Sequence, residues 1–356
     1  MRVLVWQWGR RGAGPLVAAT VARALGAVPG VETILSLSTG AELLGLPGAP
    51  VNDVPVQTYR DRAGFAVRVL GAPWMAARVA AAIRAAGVDV ALCAMPAPLD
   101  FVMAAALRQA GVPYAVMVHD AELHPGDRFP MQIGLQRWLL RGAGVLFALT
   151  GHVSSQLRAR GVGGGQALLA ASLPPFVFGP APIAVGAHGG KLRLLSFGRL
   201  LPYKGLDLLA GSLSLLAGRD DLEVRVVGSG PETKELARLR AMPFVTVENR
   251  WVPEAELGAL LQWADALVLS HREASQSGVA AAAISARRWV VATRVGGLVE
   301  QLEGQGMAVL CEAEAASLAA GIASLFGRAV PAVGVDAGWS GTAVGIVEGL
   351  RGLVGR

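Results

Sequence analysis

The sequence predicts an α/β protein built from two doubly wound parallel sheets, one in each half of the chain. In both halves, short and continuous apolar runs alternate with helical patterns. Such runs are typical of strands that are buried on both faces of a parallel sheet. Between the halves, residues 173–190 read LPPFVFGPAPIAVGAHGG, a stretch rich in Pro and Gly that indicates a linker.

Length and composition support two folded domains and exclude several other classes. The chain has 356 residues, of which 53% are hydrophobic and 16% charged, so disorder is disfavoured. The longest apolar stretch, Gly87–Leu107, is interrupted by Asp89 and Asp100, and we expect no membrane span or signal peptide. Cys93 and Cys311 lie in different halves and form no disulfide framework. We therefore expect a cytoplasmic protein.

The first half, residues 1–172, has a glycine-rich loop after its first strand. Residues 9–14 read GRRGAG, but Val17 stands where a dinucleotide fingerprint has its third glycine, and no acid closes the following strand. A nicotinamide-dependent enzyme is therefore disfavoured. The predicted elements of this half are, in order, the strand Val3–Trp6, the helix Leu16–Leu25 and the strands Glu32–Leu37, Val88–Ala94 and Tyr114–Val118.

The second half, residues 191–339, repeats the α/β pattern. A helix is predicted for residues 340–356, and we expect it to join the first domain. Because ligands of open parallel sheets bind beyond the carboxyl ends of the strands, two such domains are an architecture for group transfer. The predicted strands of this half are Leu192–Phe197, Glu223–Val227, Val245–Val247, Ala266–Ser270, Trp289–Ala292 and Met307–Leu310.

Two cations follow the first strand of this half, in the segment LLSFGRLLPYKGLDLL. Arg199 and Lys204 lie five residues apart, and no acid stands near them before Asp207. Two cations at the carboxyl end of a strand suit a diphosphate. The alternative is a solvated loop that carries two surface charges.

A glycine turn follows the second strand, in EVRVVGSGPETKELARL. The turn contains Gly228 and Gly230 and runs into a charged helical segment. Free backbone amides at the start of a helix bind anions and nucleotides. A plain connection between strand and helix remains the alternative.

An acidic loop and a helix start follow the strand that ends at Ser270. Glu273 lies in this loop, and Gln276, Ser277 and Gly278 open an Ala-rich helix. Sugar hydroxyls suit Glu273 and Gln276, and amides near Ser277 suit phosphate. The alternative is a carboxylate that caps the helix. Further on, the stretch VGGLVE repeats a glycine turn followed by an acid, Glu300.

A histidine and an aspartate follow the last predicted strand of the first half, in MVHDAELHPGD. His119 and Asp120 either face a ligand or cap the loop. Together with Glu122 and His124 they raise the question of a metal site. We predict none, because no second cluster completes a site and no Asp-x-Asp triplet occurs.

The net charge of +6 and the pI near 10.0 leave nucleic acid, anionic membrane or polyanionic substrates open as partners. No recognition motif accompanies the charge, so nucleic-acid binding is disfavoured. The segment TYRDRAGFAVRVLGAPWMAARVAAAIRAAG mixes arginines with bulky apolar residues. This mixture suits an interfacial helix on anionic lipid, and an ordinary amphipathic surface helix is the alternative.

Taken in this order, the three segments of the second half resemble the donor half of retaining GT-B glycosyltransferases of family 4. The family pattern matches GRLLPYKG, GSGP, the loop with Glu273 and VGGLVE. The stretch NRWVPEAELGALLQWADALVLSHREASQSGV resembles a branch with Gln-Ser-Gly after the acid. The first half matches more loosely. Many relatives have a second glutamate eight positions after the first, where this chain has Ala281.

The resemblance implies two Rossmann-like domains facing across a cleft and transfer of a hexose-type sugar, with retention, from a UDP- or GDP-linked donor. It implies no cofactor and no metal, and a glycan or lipid-linked acceptor in cell-surface polysaccharide or glycolipid synthesis. Peripheral contact with the inner face of an anionic membrane is expected from the arginine-rich apolar segment, on its lipid interpretation. Arg199 and Lys204 would neutralise the leaving diphosphate, and Glu273 would contact the sugar hydroxyls. The predicted catalytic residues are His119, Glu273, Arg199 and Lys204. The predicted donor-binding residues are Gly12, Gly230, Gln276, Ser277, Gly278, Arg250 and Glu300. The predicted acceptor-side residues are Gly9, Arg10 and Asp120.

Two other functions remain open at this stage. One is a non-catalytic GT-B protein that binds a nucleotide sugar or assembles a polysaccharide complex, which Ala281 favours. The other, more distant, is a sugar-nucleotide epimerase of similar fold.

Overall fold

A computed structural model describes residues 1–122, 132–162, 165–174, 185–186, 188–329 and 338–354. The chain divides into two compact units. The N-terminal unit contains Met1–Glu122 and the described residues of Arg128–Ser172 and Gly338–Arg356, and the C-terminal unit contains the described residues of Leu173–Ala337. Of the predicted linker, residues 175–184 and 187 lie outside the described part of the chain, as does His124.

Each unit is built on one six-stranded sheet in which all pairs of neighbouring strands are parallel. The order is β2-β1-β3-β4-β5-β6 in the N-terminal unit and β12-β11-β10-β7-β8-β9 in the C-terminal unit. The strands are β1 (Arg2–Gln7), β2 (Glu32–Leu37), β3 (Val90–Cys93), β4 (Tyr114–Val118), β5 (Val145–Ala148), β6 (Ala167–Ala170), β7 (Leu192–Arg199), β8 (Leu222–Ser229), β9 (Val245–Asn249), β10 (Ala266–Leu269), β11 (Trp289–Thr293) and β12 (Ala308–Cys311). The predicted α/β class is confirmed.

Helices connect most of the strands. The α-helices in the described residues are α1 (Ala13–Gly26), α2 (Arg62–Leu70), α3 (Ala72–Ala85), α4 (Asp100–Ala110), α5 (Gln132–Gly142), α6 (Gly151–Ala159), α7 (Leu206–Leu215), α8 (Lys234–Arg240), α9 (Glu254–Trp263), α10 (Gly278–Ser285), α11 (Gly297–Leu302), α12 (Ala315–Ala323) and α13 (Ser340–Val354). Short 3₁₀ helices cover Glu42–Gly45 and Pro202–Lys204.

The strand interiors are apolar because both faces of each sheet are covered by helices. Leu4 and Val116 in the first sheet and Leu194 and Val226 in the second expose none of their surface. Burying such side chains contributes about 1.5–3 kcal/mol each. The sheets therefore fix the strand ends, and with them the loops that carry the candidate site.

The last helix, α13, belongs to the N-terminal unit, where it packs against α1 and the strands β3, β4 and β5. Gly349 permits this packing, because a Cβ atom there would lie 2.8 Å from side-chain atoms of Leu169 and Phe147. Within the part of the chain that the structure describes, no single helix is long and apolar enough to cross a membrane. Helices α2 and α3 pass that test only as a pair, which is bent by 72°.

Two strands were missed by the sequence analysis. β5 is a buried apolar run of four residues, and β6 lies at the edge of the sheet with most of its residues exposed. Runs this short carry too little periodicity to separate strand from loop.

Candidate functional site

In the C-terminal unit, the loop after β7 is seated against the loop after β10. Gly205 adopts a left-handed conformation with φ of 65°, and a Cβ atom there would lie 1.8 Å from the carbonyl oxygen of Ser270. The Ser270 hydroxyl donates to the carbonyl of Lys204 at 2.9 Å. The amide of Arg272 donates to the carbonyl of Tyr203 at 2.8 Å. The backbone that carries Lys204 is therefore fixed by three contacts with one neighbouring loop.

The two predicted cations meet at one aromatic ring. Tyr203 is 6% exposed, and its hydroxyl accepts a hydrogen bond of 2.9 Å from Nη2 of Arg199. The guanidinium carbon of Arg199 lies 5.5 Å from the centre of the Tyr203 ring, and Nζ of Lys204 lies 5.1 Å from it. Cations at this distance are attracted to the ring face. The structure thus brings Arg199 and Lys204 together, with Tyr203 as a support that the sequence analysis missed.

A histidine that the sequence analysis also missed contacts Lys204. Nζ of Lys204 lies 2.7 Å from Nε2 of His271, whose side chain is buried at 4% exposure. An ammonium group only donates hydrogen bonds, so Nε2 of His271 accepts from a charged Lys204. The carbonyl of His271 is held by the Thr293 hydroxyl at 2.5 Å. Its position could have indicated this residue, since His271 lies two residues after the carboxyl end of β10.

A narrow crevice of about 10 Å³ opens beside these groups, between the carboxyl ends of β7 and β10. Its walls combine apolar strand residues with the cationic loop. It is lined by Ser196, Phe197, Arg199, Leu200, Lys204, Leu206, Val268, Leu269, Ser270, His271 and Val279.

The loop with Glu273 leads into α10, and α11 holds its end. Glu273 is exposed and Gln276 is partly buried. The Ser277 hydroxyl caps α10 by accepting from the amide of Ala280 at 3.3 Å. The Ser277 amide donates to Gln301, whose side-chain amide donates back to the Ser277 carbonyl. The Ser277 amide therefore already has an acceptor, and the use of amides near this residue for phosphate stays a prediction.

The glycine turn before α11 packs on the same loop. The amide of Gly297 donates to the carbonyl of Ala274 at 2.8 Å, which places the stretch VGGLVE next to the loop with Glu273. Glu300 lies exposed in the first turn of α11. Gly278 is the first residue of α10, and Ala281, where many relatives have a glutamate, is 1% exposed within that helix.

Gly230 has a packing role rather than a free amide. A Cβ atom at Gly230 would lie 2.1 Å from the carbonyl oxygen of Leu200, so only glycine lets this turn approach the loop after β7. Its amide donates to the side chain of Asn249 at 3.0 Å. Helix α8 begins only at Lys234 and is capped by Thr233. The Gly230 amide is therefore not free, and a role of this turn in binding the donor stays a prediction.

Arg250 already binds two carboxylates. Nη2 donates to Glu256 at 2.7 Å and Nε donates to Glu248 at 2.9 Å. Both hydrogen bonds raise the pKa of Arg250, and the bond to Glu256 has the larger effect. The Arg250 amide also donates to the carbonyl of Gly228. The structure thus places Arg250 beside the glycine turn, with its charge balanced by neighbours rather than directed to a ligand.

In the N-terminal unit, the glycine-rich loop is shaped by Gln7, the last residue of β1. The Gln7 side-chain carbonyl accepts from the amide of Gly9 at 2.9 Å, and a Cβ atom at Gly9 or Gly14 would lie within 2.8 Å of the Gln7 amide nitrogen. Gly12 precedes α1 with φ of 80°. The carbonyl of Arg10 accepts from the amide of Glu42 at 2.9 Å. Backbone packing therefore requires several of these glycines whether or not a ligand binds.

His119 and Asp120 lie at the carboxyl end of β4, as predicted. Nε2 of His119 lies 2.8 Å from the carbonyl oxygen of Ala94. Because a carbonyl only accepts, Nε2 carries the proton and Nδ1 has the lone pair. Burial lowers the pKa of His119, against smaller upward effects of the Ala94 carbonyl and of Asp120. The carbonyl of Asp120 accepts from Gln136 at 2.8 Å.

No group of three or more His, Cys, Asp or Glu side chains that could hold a metal ion occurs in the described residues. His124 of the sequence-level candidate cluster lies outside them. Metal independence thus stays a prediction.

Solved structures resemble the chain over its whole length. Sucrose-phosphate synthase from Thermosynechococcus elongatus is 14% identical with a TM-score of 0.71, and the match covers 99% of both chains. Anabaena HepE in complex with UDP and glucose is 17% identical with a TM-score of 0.67, over 100% of this chain and 98% of that one. The apo form of the lipopolysaccharide outer core galactosyltransferase WaaB is 12% identical with a TM-score of 0.64, over 99% of this chain and 100% of that one. At such identities the likeness shows the fold, which is GT-B.

Two family models match the sequence. Residues 6–170 match the model described as "Glycosyl transferase 4-like domain", and residues 191–328 match the model described as "Glycosyl transferases group 1". No curated protein sequence matches the chain. The two family matches together span most of the N-terminal and C-terminal units. The chain therefore belongs to the group 1 glycosyltransferases.

Proposed function

We propose that the protein transfers a hexose-type sugar from a nucleoside diphosphate to an acceptor hydroxyl, with retention. The observation that carries the proposal is the cluster of Arg199, Tyr203, Lys204 and His271 beside the crevice at the strand ends. As the bond from sugar to diphosphate breaks, negative charge grows on the leaving phosphate oxygens. Two cations fixed beforehand at that point stabilise the transition state more than the ground state.

The cluster also accounts for a reaction that runs without a metal ion. A guanidinium binds two phosphate oxygens at once, and an ammonium group adds a point charge. Arg199 and Lys204 then supply the neutralisation that a divalent cation gives elsewhere. Metal independence and the absence of a cofactor are part of this proposal.

The sugar end of the donor is assigned to the loop after β10. Glu273 would bind the sugar hydroxyls, and Gln276 and Gly278 would border the same end of the donor, with Glu300 in the adjoining turn. In the N-terminal unit, His119 would act as a neutral imidazole near the reacting sugar. Gly9, Arg10 and Asp120 would lie on the acceptor side and Gly12 near the donor. These roles rest on the family resemblance and on the position of each residue in a loop or first helical turn that follows a strand.

Both UDP- and GDP-linked sugars are proposed as donors, and UDP-glucose is the first to test because HepE is described in complex with UDP and glucose. For the acceptor we propose a glycan or a lipid-linked hydroxyl in cell-surface polysaccharide or glycolipid synthesis. WaaB is described as a lipopolysaccharide galactosyltransferase, which makes such an acceptor a sensible first choice. A cytoplasmic location, with contact to the inner face of an anionic membrane, belongs to the same proposal.

The test pairs donor binding with turnover. Thermal unfolding is measured with UDP- and GDP-sugars, since a donor at a hundred times its Kd stabilises the folded state by about 2.7 kcal/mol. Transfer and hydrolysis are then compared in Lys204→Ala and in the control Lys234→Ala, which removes a lysine that is 93% exposed on α8. We expect a loss of at least about tenfold in kcat for Lys204→Ala alone. Equal turnover in the two variants would remove the assignment of Lys204.

A non-catalytic binding protein is the second candidate, favoured by the buried Ala281 in place of a second carboxylate. It predicts a thermal shift with a donor but no release of nucleoside diphosphate with any acceptor. An epimerase would convert the donor sugar without an acceptor. Product analysis with and without acceptor separates the three.

A further inference from the structure

Helix α2 exposes an apolar stripe. Ala63, Ala66, Val67 and Leu70 recur at helical spacing along one side of the helix, and all four are exposed. No residue of α2 is buried. The helix is held to its unit from the other side, where Phe65 packs edge-on against Tyr59 with ring centres 4.9 Å apart. The stripe therefore faces solvent in the described structure.

The stripe continues past a bend into α3. Leu70 and Trp74 lie on either side of Gly71, and each exposes 76% of its surface. Of eleven large apolar side chains exposed in the described residues, four lie within residues 67–74, so these residues form a patch. The other face of α3 is covered, since Ala76, Val79, Ala80 and Ile83 belong to the buried core. The bent pair thus lies on the surface of its unit, with protruding apolar side chains at the bend.

The charges within α2 and α3 have one sign. Residues 62–88 contain four arginines and no Asp, Glu or Lys, and the acid nearest to the patch in sequence, Asp61, caps α2 by accepting from the amide of Gly64. Arg62 and Arg78 are exposed. Arginines beside an apolar patch attract an anionic surface while their apolar stems lie along it. A second copy of the same patch would instead bring like charges together, which disfavours self-association.

We infer that the apolar patch of α2 and α3, defined by Val67, Leu70 and Trp74, docks this protein on an anionic lipid bilayer. Side chains that protrude at a bend enter the soft boundary between headgroups and acyl chains, where Trp is favoured. The flanking arginines meet the lipid phosphates. Lipid fits better than an acidic protein, because these side chains protrude rather than line a groove. The inference is independent of sugar transfer, since vesicle binding requires no donor.

The test is co-sedimentation with vesicles of phosphatidylcholine, with or without phosphatidylglycerol. We expect binding to the anionic vesicles only, and weaker binding as salt rises from about 0.1 M to about 1 M, because the range of charge attraction shrinks from about 10 Å to about 3 Å. The triple variant Val67→Ser, Leu70→Ser, Trp74→Ser should lower the partition coefficient at least about tenfold. The double variant Arg62→Gln, Arg78→Gln should lower the partition coefficient about fivefold for each arginine removed.

Matched controls keep the result specific. The triple variant Val51→Ser, Leu215→Ser, Trp138→Ser removes the same residue types from exposed positions elsewhere and should bind like wild type. Thermal unfolding checks that each variant folds. Absence of wild-type binding to anionic vesicles, or equal binding by the two triple variants, overturns the inference.

Two other outcomes would assign the patch to a different partner. If the wild type forms a dimer, does not bind vesicles, and is monomeric as the variant Val67→Ser, Leu70→Ser, Trp74→Ser, the patch serves self-association. Capture by an acidic peptide, without vesicle binding, would assign it to a protein partner.

Discussion

Nζ of Lys204 lies 2.7 Å from Nε2 of His271, a distance at which the imidazole must accept the hydrogen bond. The contact directs the ammonium group from a buried ring that follows β10. The orientation of the cation assigned to the leaving diphosphate thus depends on an acceptor at position 271.

We therefore expect kcat for sugar transfer to fall when this acceptor is removed, while the KM for the donor changes less, because charge on the leaving group develops in the transition state. His271→Leu should lower kcat about tenfold or more. His271→Asn keeps an acceptor and should retain most of kcat. If His271→Leu retains the kcat of the wild type, His271 does not position Lys204.

Gly205 should be among the glycines that tolerate alanine least. Gly205→Ala combines a left-handed backbone with a Cβ atom 1.8 Å from the Ser270 carbonyl oxygen. We expect a loss of roughly 3 kcal/mol or more in the free energy of unfolding. Gly218→Ala is the control, because φ is 92° there and nothing lies within 4 Å of the added atom; it should cost roughly 1–2 kcal/mol. Urea unfolding measures both, and equal losses would contradict the seating of the two loops.

Asp100 should make the protein less stable as pH rises. Burial raises the pKa of Asp100 to about 7, although hydrogen bonds from the Ala97 amide, Trp6 and Cys93 oppose the shift. The folded state thus binds a proton that the unfolded state releases near pH 4. The contribution of Asp100 to the free energy of unfolding is therefore fully present below about pH 4. It is lost as the pH rises towards 7, and the loss is roughly 4 kcal/mol at most.

The measurement is the free energy of unfolding from about pH 4 to pH 8 in wild type and in Asp100→Asn. Asparagine cannot ionise, so the difference between the two proteins should change with pH through this range. Subtraction removes the contribution of other carboxylates. A difference that is constant with pH would show that Asp100 is already ionised at pH 4 in the folded state.

How far the sequence predicts this molecule depends on how local each signal is. Continuous apolar runs predict the positions of most strands, because buried parallel strands need them. Arg199 and Lys204 could be predicted as site residues because they come just after one such run. Tyr203 and His271 do not follow in this way. Their significance comes from the register of β7 beside β10, which brings together loops 66 or more residues apart in sequence. The partners of Ser277 and Arg250 depend on packing in the same way, so the sequence alone does not predict them.

Tyr203 should act on the donor through Arg199. The Tyr203 hydroxyl accepts from Nη2 of Arg199 at 2.9 Å, whereas the ring supports both cations. Tyr203→Phe keeps the ring and removes one hydrogen bond to a charged group, which contributes about 1.5–3 kcal/mol at most. The freed guanidinium should bind the diphosphate less well, so we expect a rise in the donor KM of about three- to tenfold with little change in folding.

A double-mutant cycle separates this effect from a general loss of structure. If Tyr203 acts by holding Arg199, then Tyr203→Phe should have little further effect in an Arg199→Ala background, because the group it positions is gone. If the losses in kcat/KM from Arg199→Ala and Tyr203→Phe simply multiply, the hydroxyl acts elsewhere. Comparing UDP with uridine as competitive inhibitors localises the coupling further. If this hydrogen bond holds Arg199 for the diphosphate, Tyr203→Phe should weaken the binding of UDP and leave the binding of uridine unaffected.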